Sequence, residues 1–216
     1  MTEMINNFEG KPGLALDIDE TLSWTLGYVV EDMQKLFGNP ENLSARELIK
    51  KYRFVQEVPY WQTKEVYDWT ERQWESSILQ EVLPLIKGAK EYVKKIAQII
   101  PIKVYLTVRP SGAIPGTRIW LKKHDFPKAE IISRPEDIAK KDASKWKAEK
   151  LVELYPSVLG IVDDNPEILD FLPKDYQGKI FLYGFKKDEL KVRKNVYLCK
   201  EWKDVFEKIK NLSPAY

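Results

Sequence analysis

Short apolar runs alternating with helical stretches predict an α/β chain built on a parallel sheet with helices on both faces. Two of those runs, 14–16 and 158–162, are apolar on both sides, as the central strands of such a sheet are. The alternation breaks after the first run, where residues 28–99 carry helical periodicity and no convincing strand, which reads as an inserted all-helical segment.

Taken in order, a first strand is expected at 14–18, followed by helices at 28–37, 44–52, 63 to about 80, and 87–99. Ser44 and Glu47 have the spacing of a capping box, which marks one helix start. Pro59 and Pro84 punctuate the segment. Strands then follow at 102–108, 130–133, 158–162, 179–183 and 196–199, with helices near 115–124, 142–155, 166–172 and 202–210. The expected division is an α/β core of residues 1–24 and 84–216 and a helical insertion of residues 25–83. Aromatic residues crowd that insertion or flank it, among them Trp24, Tyr28, Phe54, Trp61 and Trp74. Most must pack its small core, and one or two are free to stack on a ligand.

The 216 residues suffice for one core domain with an insertion. A net charge of +2 gives no electrostatic case for a nucleic-acid polymer or an acidic membrane surface. Cys199 is the only cysteine, so no internal disulfide can form. With no signal-peptide pattern at the start and no long apolar run, a cytoplasmic protein is expected.

The chemistry starts at Asp17 and Asp19, two apart at the end of the first apolar run. In an extended chain such side chains leave on the same side. Two carboxylates about 4 Å apart repel by roughly 4 kcal/mol at an effective dielectric near 20. A bound cation, a shared proton or acid–base work would each justify the pair. Ligands of parallel sheets sit outside the carboxyl ends of the strands. The second strand brings Thr107 and Arg109 to that edge, a later helix carries Lys145 and Lys147, and the 158–162 strand ends in Asp163-Asp164-Asn165-Pro166. Asn165 suits the cap of a helix starting at Pro166. His124 reads as a helix end, Cys199 as core, and the basic run 186–194 as a solvated face.

These residues, in this order, resemble the motifs of the haloacid dehalogenase superfamily, mostly Mg2+-dependent phosphohydrolases. Asp17-Ile-Asp19-Glu20-Thr21 matches its first motif, Thr107 the second, Lys147 (with Lys145 as rival) the third, and Asp163-Asp164 the fourth. Glu20 departs from the pattern, because many members carry glycine there. The resemblance implies a Rossmann-like core with a helical cap. It also implies Mg2+ held by Asp17, Asp163, Asp164 and the backbone carbonyl of Asp19. Asp17 would be the nucleophile and Asp19 the acid and base, with Thr107 and Lys147 on the phosphoryl group. Beside those roles, Arg109 is expected either to grip a substrate phosphate or to pair with a local acid, and Lys145 is expected to bind substrate. The expected substrate is a small phosphomonoester, a nucleotide or a sugar phosphate. A dehalogenase or phosphonate hydrolase on the same fold is the alternative enzyme, disfavoured by Asp19, since a halide needs no proton. Outside enzymes, a receiver-like phosphorylated signalling domain or a silent binding protein are the rivals.

Overall fold

The computed structural model describes residues 10–52, 55–186, 189–190 and 192–212. The N-terminal residues 1–9, Phe54, and Lys187, Asp188 and Lys191 of the basic run lie outside the described residues.

Six strands form one sheet: β1 (Gly13–Leu16), β2 (Ile102–Thr107), β3 (Glu130–Ser133), β4 (Val158–Asp163), β5 (Lys179–Tyr183) and β6 (Val196–Cys199). Their order is β3-β2-β1-β4-β5-β6, and every neighbouring pair is parallel. This is the Rossmann-like α/β core that the alternation predicts. The runs apolar on both sides, β1 and β4, are indeed neighbours at the centre. The chain winds outward from β1 to β3 on one side and from β4 to β6 on the other. The order therefore reverses between β1 and β4, which opens a crevice at their carboxyl ends.

Successive strand side chains face opposite ways, and the core divides accordingly. Leu14, Leu16, Val162 and Phe181 face one side, where they pack with α5 (Ala89–Ile96) and α9 (Trp202–Leu212). Ala15, Val104, Leu106 and Ile161 face the other, against α7 (Ala143–Leu154) and the short α8 (Ile168–Phe171).

Between β1 and α5 the chain forms α1 (Thr25–Phe37), α2 (Ala45–Tyr52), α3 (Lys64–Glu75) and α4 (Ser77–Val82). The described apolar residues of this stretch, including Val30, Met33, Leu48 and Trp61, join the first of the two cores. Close contact with the sheet side is made at α6 (Ile114–Lys123). A Cβ at Gly116 would collide with the backbone of Ser77, so glycine there lets α4 and α6 touch. Trp120 of α6 donates its indole N–H to Leu83 O at 2.7 Å.

Several expected boundaries change: the helix expected at 87–99 is only Ala89–Ile96, and three further changes lie nearer the first strand and the insertion. The single helix at 63 to about 80 is two helices, because Ser76 is extended (φ −74°, ψ 111°) and caps α4 by accepting from Leu79 N. The first strand ends at Leu16, so Asp17 begins the loop, although its N–H still bonds Val162 O at 2.9 Å. The first helix starts at Thr25, three residues early. The capping box does form: Ser44 N donates to Glu47 Oε2 at 2.8 Å, and Glu47 N donates to Ser44 Oγ at 3.3 Å. No helix among the described residues is long and apolar enough to cross a membrane.

Candidate active site

Asp17, at the end of β1, and Asp163, at the end of β4, meet across the central crevice. Asp17, Asp163 and Asp164 each bring a carboxylate oxygen within 4.8 Å of the other two. Lys147 reaches in from α7, with Nζ 2.5 Å from Asp17 Oδ1 and 2.6 Å from Asp163 Oδ2. These residues line a cavity of about 330 Å³, with Asp19, Glu20 and Asn165 on its wall.

Three carboxylates here share one ammonium. Burial raises Asp17 to about 7; Lys147 opposes the rise, and Asp163 and Asp19 add to it. Burial, then Asp17 and Asp163, lift Asp164 well above the ordinary carboxylate range. Burial would lower Lys147, yet the attraction of Asp163 and Asp17 raises it, so it stays charged. Asp163 Oδ1 accepts from Asn165 N at 2.9 Å, and its buried Oδ2 faces the Lys147 ammonium at 2.6 Å. Three carboxylates within 4.8 Å of one another and one ammonium leave an excess of anionic oxygens, which suits a hard divalent cation that takes oxygen ligands. The residues present therefore fit Mg2+.

Asp19 stands in the opposite setting. Arg109, 4 % exposed, grips it through Nε (3.0 Å to Oδ2) and Nη2 (2.7 Å to Oδ1), and Thr25 donates to Oδ1 at 2.6 Å. Burial would raise Asp19, but the Arg109 charge and its hydrogen bonds, with that of Thr25, hold it below the usual value. Arg109 also donates to Thr117 Oγ1 (2.8 Å) and Ser23 Oγ (3.1 Å). Of the two expected roles of Arg109, the pairing with a local acid is the one its bonds make: it is committed to Asp19 and its buried hydroxyl neighbours.

Lys145 is corrected. Residues two apart on a helix point about 200° apart, so with Lys147 buried, Lys145 faces solvent, 3.9 Å from Glu149. Thr107 ends β2 fully buried; its Oγ1 accepts from Arg109 N at 3.2 Å, which leaves the hydroxyl proton to donate.

Glu20 explains its own departure from the motif. Its φ is +53°, the left-handed region where glycine is the easy residue. Its carboxylate accepts from Leu26 N at 2.6 Å and so caps α1, whose own N-cap residue, Trp24, offers no side-chain bond. Burial raises Glu20 to about 7, against the Leu26 N–H and with Asp19.

Asn165 Oδ1 accepts from Glu167 N at 3.0 Å in the turn before α8, which starts at Ile168 and not at the expected Pro166, so Asn165 braces that turn and Glu167 is the N-cap. His124 ends α6, and Cys199 is buried. Sequence reasoning missed Ser23, Thr25 and Thr117 around Arg109, and Arg134 directly after β3. Inspection of every strand end would have found Arg134; nothing local marks the other three.

No family model matches the chain, and no curated protein matches it. Solved structures do. A subfamily IA haloacid dehalogenase superfamily hydrolase from Geobacter sulfurreducens aligns with a TM-score of 0.55 at 11% identity, covering 92% of this chain and 96% of that one. A superfamily hydrolase from Ehrlichia chaffeensis aligns at 0.48 and 16% identity, over 93% of this chain and 96% of its own. The likeness of fold is carried by the Geobacter structure. The chain has the fold of the haloacid dehalogenase superfamily hydrolases.

Proposed function

We propose that this protein is a Mg2+-dependent phosphomonoesterase that works through Asp17 on a small phosphorylated metabolite. The observation that carries the reading is the juxtaposition of Asp17, Asp163, Asp164 and Lys147 at the β1/β4 crevice of this fold.

Asp17, Asp163 and Asp164 would hold Mg2+, with the Asp19 backbone carbonyl as the resemblance implies. When bound, the ion supplies positive charge that keeps Asp17 ionised and lets an anionic ester approach. Asp17 then attacks phosphorus; its bond to phosphorus forms as the bond to the leaving oxygen breaks. Lys147 offsets the charge on the transferring group, and the Thr107 hydroxyl donates to it. Water next cleaves the aspartyl-phosphate and frees inorganic phosphate and Asp17.

Asp19 serves as proton carrier. Held as a carboxylate by Arg109, it is suited to take the proton of the attacking water. Protonating the leaving oxygen requires Asp19 to gain a proton first, against Arg109. Residues 25–83 act as a cap that closes over the ester and excludes water.

The test is phosphate release over a panel of phosphorylated metabolites, with and without Mg2+, beside Asp17→Asn. Mg2+-dependent release by the unmodified protein and at least about a thousandfold loss in the variant are expected. Equal release by the variant removes Asp17 as nucleophile.

A further inference from the structure

A second cavity, of about 300 Å³, opens beside the first and shares Asp19 and Val108 with it. Its wall includes Trp74, Pro110 and Ala143, so most of it is apolar. Trp74 belongs to the last turn of α3, just before the break at Ser76. One turn earlier Glu71 pairs with Lys140 at 2.5 Å, on the turn preceding α7. Residues three apart share a helix face, so this pair fixes the face that presents Trp74 to the cavity rim.

Arg134 also lines the cavity and is only 8 % exposed. Its Nε donates to Val108 O (3.3 Å), and Nη1 donates to Pro135 O (3.4 Å) and to Ile138 O. Among the described residues it has no carboxylate partner, and Nη2 donates to nothing. A guanidinium carries five N–H donors, and buried cations ordinarily have an anion. Two donors and a positive charge are thus left over beside a cavity that adjoins the phosphoryl site.

We infer that this cavity takes the leaving group of the ester, and that the leaving group carries a planar ring bearing a carboxylate or carbonyl oxygen. Trp74 gives the ring a face, and Arg134 Nη2 gives the oxygen its donors. A polyol sugar fits poorly, because Pro110, Ala143 and Val108 would strip water from its hydroxyls and return no hydrogen bonds. The inference rests on the phosphomonoesterase reading for which group is the leaving group, and its test is a binding measurement that needs no turnover.

The full chain with Mg2+ is titrated calorimetrically with methylphosphonate, benzylphosphonate and 4-carboxybenzylphosphonate. The ring should tighten binding about tenfold, and the carboxylate about tenfold again. Trp74→Ala should erase the first step and spare the second; Arg134→Gln should do the reverse. Where Arg134→Gln does not fold, Arg134→Lys replaces it and should shrink the carboxylate step while keeping the ring step. Equal affinity for the methyl and benzyl compounds, or steps that survive both substitutions, overturn the inference even where the metabolite panel releases phosphate. Intact steps without any phosphate release leave the ring pocket standing and remove the catalytic reading.

Discussion

Asp17 and Asp19 are two residues apart, yet they occupy opposite electrostatic environments. Asp17 shares one ammonium with two further carboxylates and is pushed up to about 7. Asp19 has a guanidinium and a hydroxyl largely to itself and is held low. Pairs of acids driven apart in this way divide chemical roles. The side around Asp17 has one cation for three carboxylates, and the side around Asp19 has one for one. A divalent ion therefore belongs with Asp17, and a proton carrier with Asp19.

The largest expected effect comes from removing the shared cation. Lys147→Ala leaves two buried carboxylates and a half-buried one without their ammonium and should cost the ion-free protein about 4 kcal/mol in urea unfolding. Mg2+ should recover a large part of that loss, since an ion bound only by the native state stabilises it. Lys145→Ala, on the solvent face, should stay within about 0.5 kcal/mol of the unmodified protein and keep its activity. A loss of similar size in both variants would break the distinction between the two lysines.

The comparison sharpens with pH. Asp17 rises from 3.8 to about 7 on burial, so the native state holds a proton that the unfolded chain has released between those values. Stability of the ion-free protein therefore falls as pH rises from about 4 to about 7. In EDTA, the unmodified protein should lose roughly 3 kcal/mol relative to Asp17→Asn between pH 4.5 and 7.5. Asp19 acts with the opposite sign in both proteins and cancels in the difference, while Asp164, relieved of the Asp17 charge in the variant, adds to the difference in the same sense. Parallel pH curves would contradict the assignment.

Arg109→Lys gives a smaller effect. Lysine cannot reproduce the two-pronged grip on Asp19 together with the bonds to Ser23 and Thr117. About 2 kcal/mol of stability should be lost at pH 7, less at a pH low enough to protonate Asp19. An unchanged unfolding midpoint would show that the clamp contributes nothing.

These contrasts also mark what the sequence makes legible. Asp17 and Asp163 are readable because a parallel sheet gathers its strand ends at one edge, and both follow runs apolar on each side. The choice between Lys145 and Lys147 turns on helix phase, which becomes evident only with Trp146, Ala148 and Leu151 seated on the sheet. The break at Ser76 had a local signal, a serine able to cap the next helix, hidden by continuous periodicity. The grip of Arg109 on Asp19 joins residues 90 positions apart and depends on three hydroxyls that no pattern links. Long-range polar pairing is set by tertiary packing, which is why the sequence leaves Arg109 open between a substrate phosphate and a local acid.

The most direct measurement traps the covalent step. The protein is quenched during turnover with Mg2+ and a substrate found in the metabolite panel, reduced with borohydride, and digested for mass spectrometry. An acyl phosphate on Asp17 is reduced to homoserine, so homoserine at position 17 is the predicted result. Unaltered aspartate at position 17 in a sample that is releasing phosphate, with homoserine at another carboxylate or at none, would contradict the account.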